Sequence, residues 1–166
     1  GLRFFNVFGP NEYHKGFMCS VPFKAFGQIG DTGTLTLFRS HNPRYEDGKQ
    51  MRDFVYVKDV TRWMLELATK PVKSGIYNMG FGQARTWLDL GHAVFKAMEK
   101  PARISWTDVP VEMQPRYQYF TEAKMTRLLA LCGLSQPQWP LERAIEDYVR
   151  RYLAPGDAGR KPAAFL

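Results

Sequence analysis

The fold is decided by Arg52-Asp53-Phe54-Val55-Tyr56-Val57-Lys58-Asp59, a stretch in which a β-type segment runs directly into a helix. Residues 54–57 are all β-branched or aromatic, as is typical of a buried strand. Apolar residues then recur at the i, i+3, i+4 and i+7 spacing of one helix face, and these are Val60, Trp63, Met64 and Leu67. Ligands of open α/β sheets bind beyond the carboxyl ends of strands, so the flanking charges Arg52 and Asp59 are candidates for contact with a polar ligand. The alternative is that these charges form salt bridges at the ends of the strand and helix and have only a structural role.

Strand and helix patterns alternate along the rest of the chain, which predicts an α/β fold without internal repeats. The opening residues 1–10 are expected to form one strand, which Gly9-Pro10 ends. Further strands are expected at 35–38, 75–79 and 103–106, and further helices at 18–26, 87–98, 121–132 and 141–152. Residues 86–89 resemble a capping box, and Thr121 is expected to cap the helix that follows it. We expect a turn at 30–33, an exposed loop at 41–49 and a flexible tail at 154–166.

The composition limits the setting in which the chain works. It has 166 residues, of which 45% are hydrophobic, enough to bury a core in a single domain. Because it begins without an initiator methionine and within a strand pattern, we expect a piece of a longer protein. Its two cysteines, Cys19 and Cys132, are too few for a disulfide framework, and no Cys/His cluster offers a metal site, so a reduced, cytoplasmic setting is expected. No apolar run reaches the roughly 18 to 20 residues of a membrane span, so no membrane partner is expected.

The net charge of the chain indicates the sign of the charge on its partner. A formal net charge of +7 is typical of a protein with an anionic partner, which could be nucleic acid, an acidic surface or a phosphorylated small molecule. The basic residues are spread along the chain and form no recognised nucleic-acid motif, so a nucleic-acid-binding module is the distant alternative. Charge alone does not choose between the other two partners.

Two loops carry residues with possible chemistry. Gly80-Phe81-Gly82 lies between a predicted strand and a predicted helix, where a dinucleotide-binding loop would sit, but Arg85 occupies the third glycine position. A tight turn is therefore the preferred interpretation. His14-Lys15-Gly16 places an imidazole and an amine just after the first strand, and a partly desolvated lysine there could exchange protons. A solvated loop lysine is the alternative, and the residue chemistry alone favours it.

Five stretches, taken together, resemble the C-terminal half of the ADP-L-glycero-D-manno-heptose 6-epimerase family. They are residues 2–10, 14–16, 52–59, 75–82 and 116–121, and the match extends from residue 1 to about residue 152. These enzymes are extended short-chain dehydrogenases/reductases of the NAD-dependent epimerase/dehydratase group. Three of the stretches are shared by many nucleotide-sugar epimerases and dehydratases, whereas His14-Lys15-Gly16 and residues 116–121 narrow the resemblance to the heptose enzyme.

The resemblance implies a domain organisation within residues 1–153. Residues 1–10 and 53–98 would complete a Rossmann domain, and residues 11–52 and 99–153 would form a small α/β substrate-binding region. The rest of the Rossmann domain, with its phosphate loop and catalytic tyrosine, would precede this chain, so the chain alone would be inactive. The implied cofactor is NADP, with NAD as the alternative, bound mainly by the missing half. The implied partners are the nucleotide sugar ADP-heptose and, at full length, further copies of the same protein.

The resemblance also implies roles for individual residues. Asn6 would contact the substrate, and Val7 would line the nicotinamide pocket. Lys15 would touch the cofactor and act as the second acid/base group, because oxidation at C6 and re-reduction on the opposite face call for protic groups on both sides. Arg52 would grip the pyrophosphate through its planar guanidinium. The other implied substrate contacts are Phe38, Arg39, Ser40, His41 and Tyr117.

The chain departs from the family pattern at three places near these residues. Phe17 stands where many members have a substrate-contacting serine, and Lys24 stands at the position of a substrate-contacting histidine. The loop at 42–51 is longer than in some members. A related nucleotide-sugar 4-epimerase or 4,6-dehydratase is therefore the alternative activity, since it would share the general signatures.

Overall fold

Seven strands and four α-helices alternate through residues 1–155, the part of the chain that the computed structural model describes. The strands are β1 (Leu2–Phe4), β2 (Asn6–Phe8), β3 (Leu35–Phe38), β4 (Met51–Tyr56), β5 (Tyr77–Met79), β6 (Ala84–Thr86) and β7 (Ile104–Thr107). The α-helices are α1 (Val21–Thr32), α2 (Val57–Thr69), α3 (Trp87–Ala97) and α4 (Leu141–Tyr148). Short 3-10 segments cover Tyr13–Met18 and Gln114–Arg116, and π-helical segments cover Arg127–Leu131 and Val149–Leu153. The predicted α/β fold class is confirmed.

Strand β4 leads directly into helix α2, as the sequence predicts. Its carboxyl-terminal part pairs with β2 in parallel, and its amino-terminal part pairs with β6 in the antiparallel sense. Because this second pairing begins at Met51, Arg52 is the second residue of the strand and does not flank its carboxyl end. Of the two charges that flank the stretch, Arg52 lies near the amino-terminal end of the strand, and Asp59 lies in the first turn of α2, where it is buried.

The opening segment forms two strands where one was predicted. The chain changes partners at Phe5, because β1 pairs with β5 while β2 pairs with β4, both in parallel. The backbone N–H of Phe5 still donates to the carbonyl of Met79 at 3.0 Å. One continuous hydrophobic pattern thus serves two sheets, and β2 carries its residues to the side of β4.

Strand β4 separates two hydrophobic cores because its side chains alternate between two faces. Phe54 and Tyr56 belong to a core that collects buried residues of α1, β3, α3 and α4. Val55 belongs to a second core with buried residues of α2, β5 and the segment 123–134. A central strand buried on both sides in this way explains the uninterrupted apolar run at 54–57.

Two helix predictions need correction at their ends. Helix α1 begins after the cap Ser20, tolerates Pro22 in its first turn, and continues to Thr32, so only Gly33, at φ 71°, forms the turn expected over 30–33. Thr121 does not cap a helix. Its N–H donates to the Met51 carbonyl at 3.3 Å, so the chain stays extended there and the helical segment starts about five residues later.

Other local predictions are confirmed. The Thr86 hydroxyl accepts from the Asp89 N–H, and the Asp89 carboxylate accepts from the Thr86 N–H, both at 3.0 Å, so the capping box is present. Pro140 directly precedes α4, and the segment 41–49 contains no helix or strand. Both cysteines are free and buried. The predicted tail falls almost entirely on residues 156–166, which lie outside the described part. Within that part, no helix has the length and apolar character needed to cross a membrane.

Asp53 holds together three segments around the start of β4. Its fully buried carboxylate accepts hydrogen bonds from the N–H groups of Phe81 at 2.6 Å, Gly82 at 2.9 Å and Ala123 at 2.9 Å. Burial raises the pKa of Asp53, while these three donors act in the opposite direction. The Gly80-Phe81-Gly82 bend therefore uses its N–H groups on a carboxylate of the same chain, which confirms the tight-turn interpretation.

We predict that Asp53→Ala lowers the free energy of unfolding by about 3 kcal/mol or more, because a fully buried carboxylate that accepts three backbone N–H groups is removed. Denaturant titration measures the change. Asp108→Ala is the control: its carboxylate is 84% exposed and lies 3.6 Å from Arg39, so its removal should change stability by less than about 0.5 kcal/mol. A loss below about 1 kcal/mol for Asp53→Ala would show that this carboxylate does not organise the fold.

Candidate functional site

Arg52 is a buried cation without an acidic partner. Its side chain lies between the rings of Trp87 and Tyr117, with the guanidinium carbon 5.7 Å and 5.6 Å from the two ring centroids. The residue is 8% exposed, and Nη1 donates to the Met51 carbonyl at 2.8 Å. No carboxylate within residues 1–155 forms an ion pair with it. Burial lowers the pKa of Arg52, but an arginine keeps its charge in a protein, so the remaining donors are available to an anion.

The neighbouring arginine on β6 shows the contrast. Arg85 is directly opposite Arg52 in the β4–β6 register, yet it forms ion pairs with Asp89 at 3.2 Å and with Glu142. Those two carboxylates raise the pKa of Arg85. Two arginines that face each other across a ladder thus have different electrostatic environments, and only Arg52 keeps an uncompensated charge.

Two cavities adjoin Tyr117, and Arg52 lines one of them. The first, of about 530 Å³, has an apolar wall and three polar residues, and its lining consists of Val21, Lys24, Ala25, Gln28, Leu35, Thr36, Leu37, Phe38, Trp87 and Tyr117. The second, an open cleft of about 730 Å³, is lined by Arg52, Glu112, Met113, Arg116, Tyr117 and Gln118. Tyr117 lines both, so an elongated ligand can place its apolar part in the first cavity and its anionic part beside Arg52.

The polar groups of the first cavity are oriented by the fold. Gln28 accepts the backbone N–H of Thr36 at 3.0 Å through its side-chain oxygen, which leaves the amide nitrogen as a donor. Lys24 donates from Nζ to the carbonyl of Phe17 at 2.5 Å. The cavity therefore combines an apolar slot with hydrogen-bond donors, as suits a flat, acceptor-rich ring.

The segment 38–41 meets the segment 117–119 through aromatic contacts. Phe38 packs edge-on against Tyr117 with ring centroids 6.2 Å apart, and Nδ1 of His41 lies 2.8 Å from the hydroxyl of Tyr119. His41 and Tyr117 are also in edge contact at 5.8 Å. Burial raises the pKa of the Tyr117 phenol and the Arg52 charge acts in the opposite direction, so the phenol stays protonated at neutral pH and can donate to a ligand.

Arg39 and Ser40 are engaged by residues of the following loop and, in the case of Arg39, by Asp108 after β7. Arg39 is half exposed and lies 3.6 Å from Asp108 and 3.9 Å from Asp47. Ser40 donates two hydrogen bonds to residues of the same loop, from its N–H to Asp47 at 2.7 Å and from its hydroxyl to the Asn42 carbonyl at 2.8 Å. These two residues shape the loop that presents Phe38 and His41.

Asn6, Val7 and Lys15 lie in another part of the fold. Asn6 is exposed and Val7 half-buried on β2, where they pair with Phe54 and Val55 of β4. Lys15 is exposed on the 3-10 segment Tyr13–Met18, and it is not among the residues that line either cavity. The structure therefore brings Phe38, His41, Arg52 and Tyr117 together and leaves Lys15 on a separate turn.

That turn starts from a buried acid. The Glu12 carboxylate accepts the N–H of Ser20 at 2.7 Å, the hydroxyl of Ser20 at 2.6 Å and the hydroxyl of Tyr148 at 2.8 Å. These bonds tie the base of the turn to the cap of α1 and to α4. Lys15 is thus carried by a segment whose first end is firmly placed.

Sequence reasoning missed several cavity residues. Arg116 lines the cleft with Arg52, and its position beside Tyr117 was the available signal. Trp87 contacts Arg52 and lines the first cavity, but in the sequence it is simply the first residue after the capping Thr86. Gln28 carries no signal, because its role depends on the approach of β3 to α1.

The family model and the curated relatives that match this chain are all epimerases or their family. Residues 1–80 match the NAD dependent epimerase/dehydratase family. The chain is 51% identical over 157 residues to ADP-L-glycero-D-manno-heptose-6-epimerase of Nitratidesulfovibrio vulgaris strain Hildenborough, covering 94% of this chain and 48% of that protein. It is 44% identical over 164 residues to the protein of that name from Fusobacterium nucleatum subsp. nucleatum, covering 95% and 49%. The chain therefore spans about half the length of the curated relatives it matches.

Solved structures share the fold. The crystal structure of Helicobacter pylori ADP-L-glycero-D-manno-heptose-6-epimerase superposes with a TM-score of 0.75 at 27% identity, covering 91% of this chain and 43% of that one. A UDP-N-acetylglucosamine 4-epimerase from Methanobrevibacter ruminantium M1 gives a TM-score of 0.72 at 22% identity, covering 93% and 46%, which is a likeness of fold.

The uncompensated charge of Arg52 leads to a prediction about stability. Without ligand, Arg52→Met should leave the free energy of unfolding unchanged or raise it by about 1 to 2 kcal/mol, because an apolar side chain of similar length needs no counter-ion. Arg85→Met is the matched control, and it should lower stability by up to about 1 kcal/mol because two ion pairs are lost. Denaturant titration of both variants tests the pair. If Arg52→Met cost more than about 1 kcal/mol, the guanidinium would be a structural group.

Proposed function

We propose that the chain belongs to the NAD dependent epimerase/dehydratase family and is the substrate-binding half of an NADP-dependent ADP-glyceromanno-heptose 6-epimerase. In this proposal residues 1–10 and 53–98 complete the Rossmann domain, and residues 11–52 and 99–153 form the substrate-binding region. The complete enzyme is a cytoplasmic homo-oligomer that supplies heptose for lipopolysaccharide. The observation that carries the proposal is the buried guanidinium of Arg52, which has no acidic partner among residues 1–155, lines the open cleft, and contacts Trp87 and Tyr117 of the first cavity.

The substrate-binding part of the proposal follows from the shape and charge of that region. A nucleoside base fits the first cavity, where Trp87, Phe38 and Tyr117 supply apolar surface and Gln28 supplies a donor. The diphosphate lies at Arg52, whose planar donors match phosphate oxygens. The sugar then extends into the open cleft, where Arg116 and Gln118 offer hydrogen bonds to hydroxyl groups.

A nicotinamide cofactor fits the other group of residues. Val7 presents a half-buried apolar side chain on β2, which runs in parallel with β4, and the exposed ammonium of Lys15 follows in the next turn. The Gly80-Phe81-Gly82 bend offers no phosphate cradle, since Asp53 occupies the N–H groups of Phe81 and Gly82. We therefore assign the cofactor phosphates to the half of the enzyme that the relatives have beyond this chain.

The chemistry assigned to this chain is proton transfer and positioning. The bound cofactor supplies hydride exchange at C6 of the heptose. Lys15 moves a proton at Nζ on one face of the sugar, Asn6 orients the sugar from β2, and Arg52 with Tyr117 holds the nucleotide end in place. Inversion at C6 needs a second protic group on the opposite face, which we assign to the half beyond this chain.

Turnover by the complete enzyme tests the proposal. With NADP bound, it should interconvert ADP-L-glycero-D-manno-heptose and its C6 epimer, followed by NMR at C6. Its kcat/KM should exceed that for UDP-glucose or dTDP-glucose by at least about 100-fold, because the base pocket and the cleft must both fit. Faster reaction of a UDP- or dTDP-hexose would instead identify a 4-epimerase or a 4,6-dehydratase.

Lys15→Met separates acid/base chemistry from binding. In the complete enzyme it should reduce the rate of epimerisation by about 100-fold to 10,000-fold, the usual contribution of one positioned protic group, with ADP affinity unchanged. Lys49→Met, at an exposed loop lysine, is the control and should react like the wild type. Near wild-type turnover by a folded Lys15→Met enzyme would mean that Lys15 is only a loop lysine and that this chain supplies no acid/base group through it.

A further inference from the structure

Lys24 stands between the first cavity and the turn that carries Lys15. It lies in the first half of α1, lines the cavity, and donates from Nζ to the carbonyl of Phe17 at 2.5 Å. Phe17 is the second residue after Lys15 on the segment Tyr13–Met18. One side chain thus links a rigid helix, a ligand cavity and a backbone carbonyl beside the proposed acid/base residue.

The second limb of this turn, Phe17 and Met18, is followed by Cys19 and Ser20, which bond to Glu12, but its own side chains are exposed. The segment Tyr13–Met18 buries none of its side chains, and Phe17 and Met18 are 84% and 69% exposed. The backbone bends sharply at Gly16, whose φ of 52° and ψ of −124° divide Lys15 from Phe17. Two residues with little buried surface open easily even between fixed ends, so the hydrogen bond from Lys24 to the Phe17 carbonyl helps to place this limb.

The ammonium of Lys24 can serve two acceptors at once. It carries three donor hydrogens, and the Phe17 carbonyl uses one of them. The others are free to meet an acceptor atom of a nucleoside base in the cavity, because Lys24 is exposed and lines that cavity. A ligand that fixes the ammonium thereby also fixes the Phe17 carbonyl, and with it the limb next to Lys15.

We propose that Lys24 is a positioning residue that couples occupation of the nucleotide cavity to the placement of the Lys15 turn. The inference rests on the proposed function, because it takes the ligand to be a nucleoside diphosphate and Lys15 to be the acid/base group. Lys24 touches no reacting atom in this account. It makes the order of the turn depend on the ligand.

Hydrogen exchange of the complete enzyme, with ADP as the probe, tests the coupling. In the wild type, saturating ADP should slow exchange in a peptide covering 13–18 by about tenfold, within the usual range of coupling between sites. In Lys24→Met, ADP at a concentration that saturates the weakened site should leave exchange in that peptide nearly unchanged. The kcat at saturating nucleotide sugar should fall by about tenfold as well. Lys24→Arg, which keeps several donors, should restore most of both effects.

Lys96→Met is the matched control, because Lys96 is an exposed lysine on helix α3, and it should exchange and react like the wild type. The coupling is wrong if ADP protects the turn equally in Lys24→Met, or if ADP binds the wild type without protecting the turn. Either result leaves the proposed function intact, since ADP binding and epimerisation are measured separately. If the wild type binds no ADP and turns over no ADP-heptose, the proposed function fails and the coupling fails with it.

Discussion

Two adjacent charges at the start of a buried strand govern this structure. Strand β4 carries Arg52 and Asp53 into the interior, and a buried charge is tolerated only where hydrogen bonds or a counter-ion stabilise it. Asp53 obtains three backbone donors from the protein, and in doing so it fixes the bend after β5 and the chain at Ala123. Arg52 obtains one carbonyl and two aromatic rings. One charge is therefore satisfied by backbone donors, and the other has no counter-ion among residues 1–155.

Because successive side chains of β4 point to opposite faces, Arg52 and Asp53 lie on opposite sides of the strand. Its apolar residues divide between two cores, so the strand cannot shift register without exposing both sets. That constraint also fixes where Arg52 points relative to Trp87 and Tyr117. The cavity beside them depends on elements far apart in the sequence, namely α1, β3, the start of α3 and the segment around Tyr117.

The sequence pattern predicted correctly those structures that are determined by residues close together in the chain. The β4–α2 junction and the capping box at Thr86 were found because neighbouring residues decide them. Thr121 was misassigned because a hydrogen bond to Met51, seventy residues away, outcompeted its capping tendency, and the opening strand divides at Phe5 because two different partners claim its halves. In the site, family resemblance singled out Arg52 and Tyr117, which the fold brings together. No pattern could find the link between Lys24 and Phe17, because it depends on the shape of a loop.

The unpaired guanidinium also selects among ligands that fill the same space. The free-energy cost of burying Arg52 without a counter-ion is incurred when the chain folds, before any ligand arrives, so the site is preorganised for negative charge. A neutral nucleoside could occupy the apolar cavity but would leave that cost uncompensated, whereas its diphosphate would relieve it. Under the proposed function, discrimination between nucleosides and nucleotides would therefore come from the folding of β4 itself, without a separate device to exclude uncharged nucleosides.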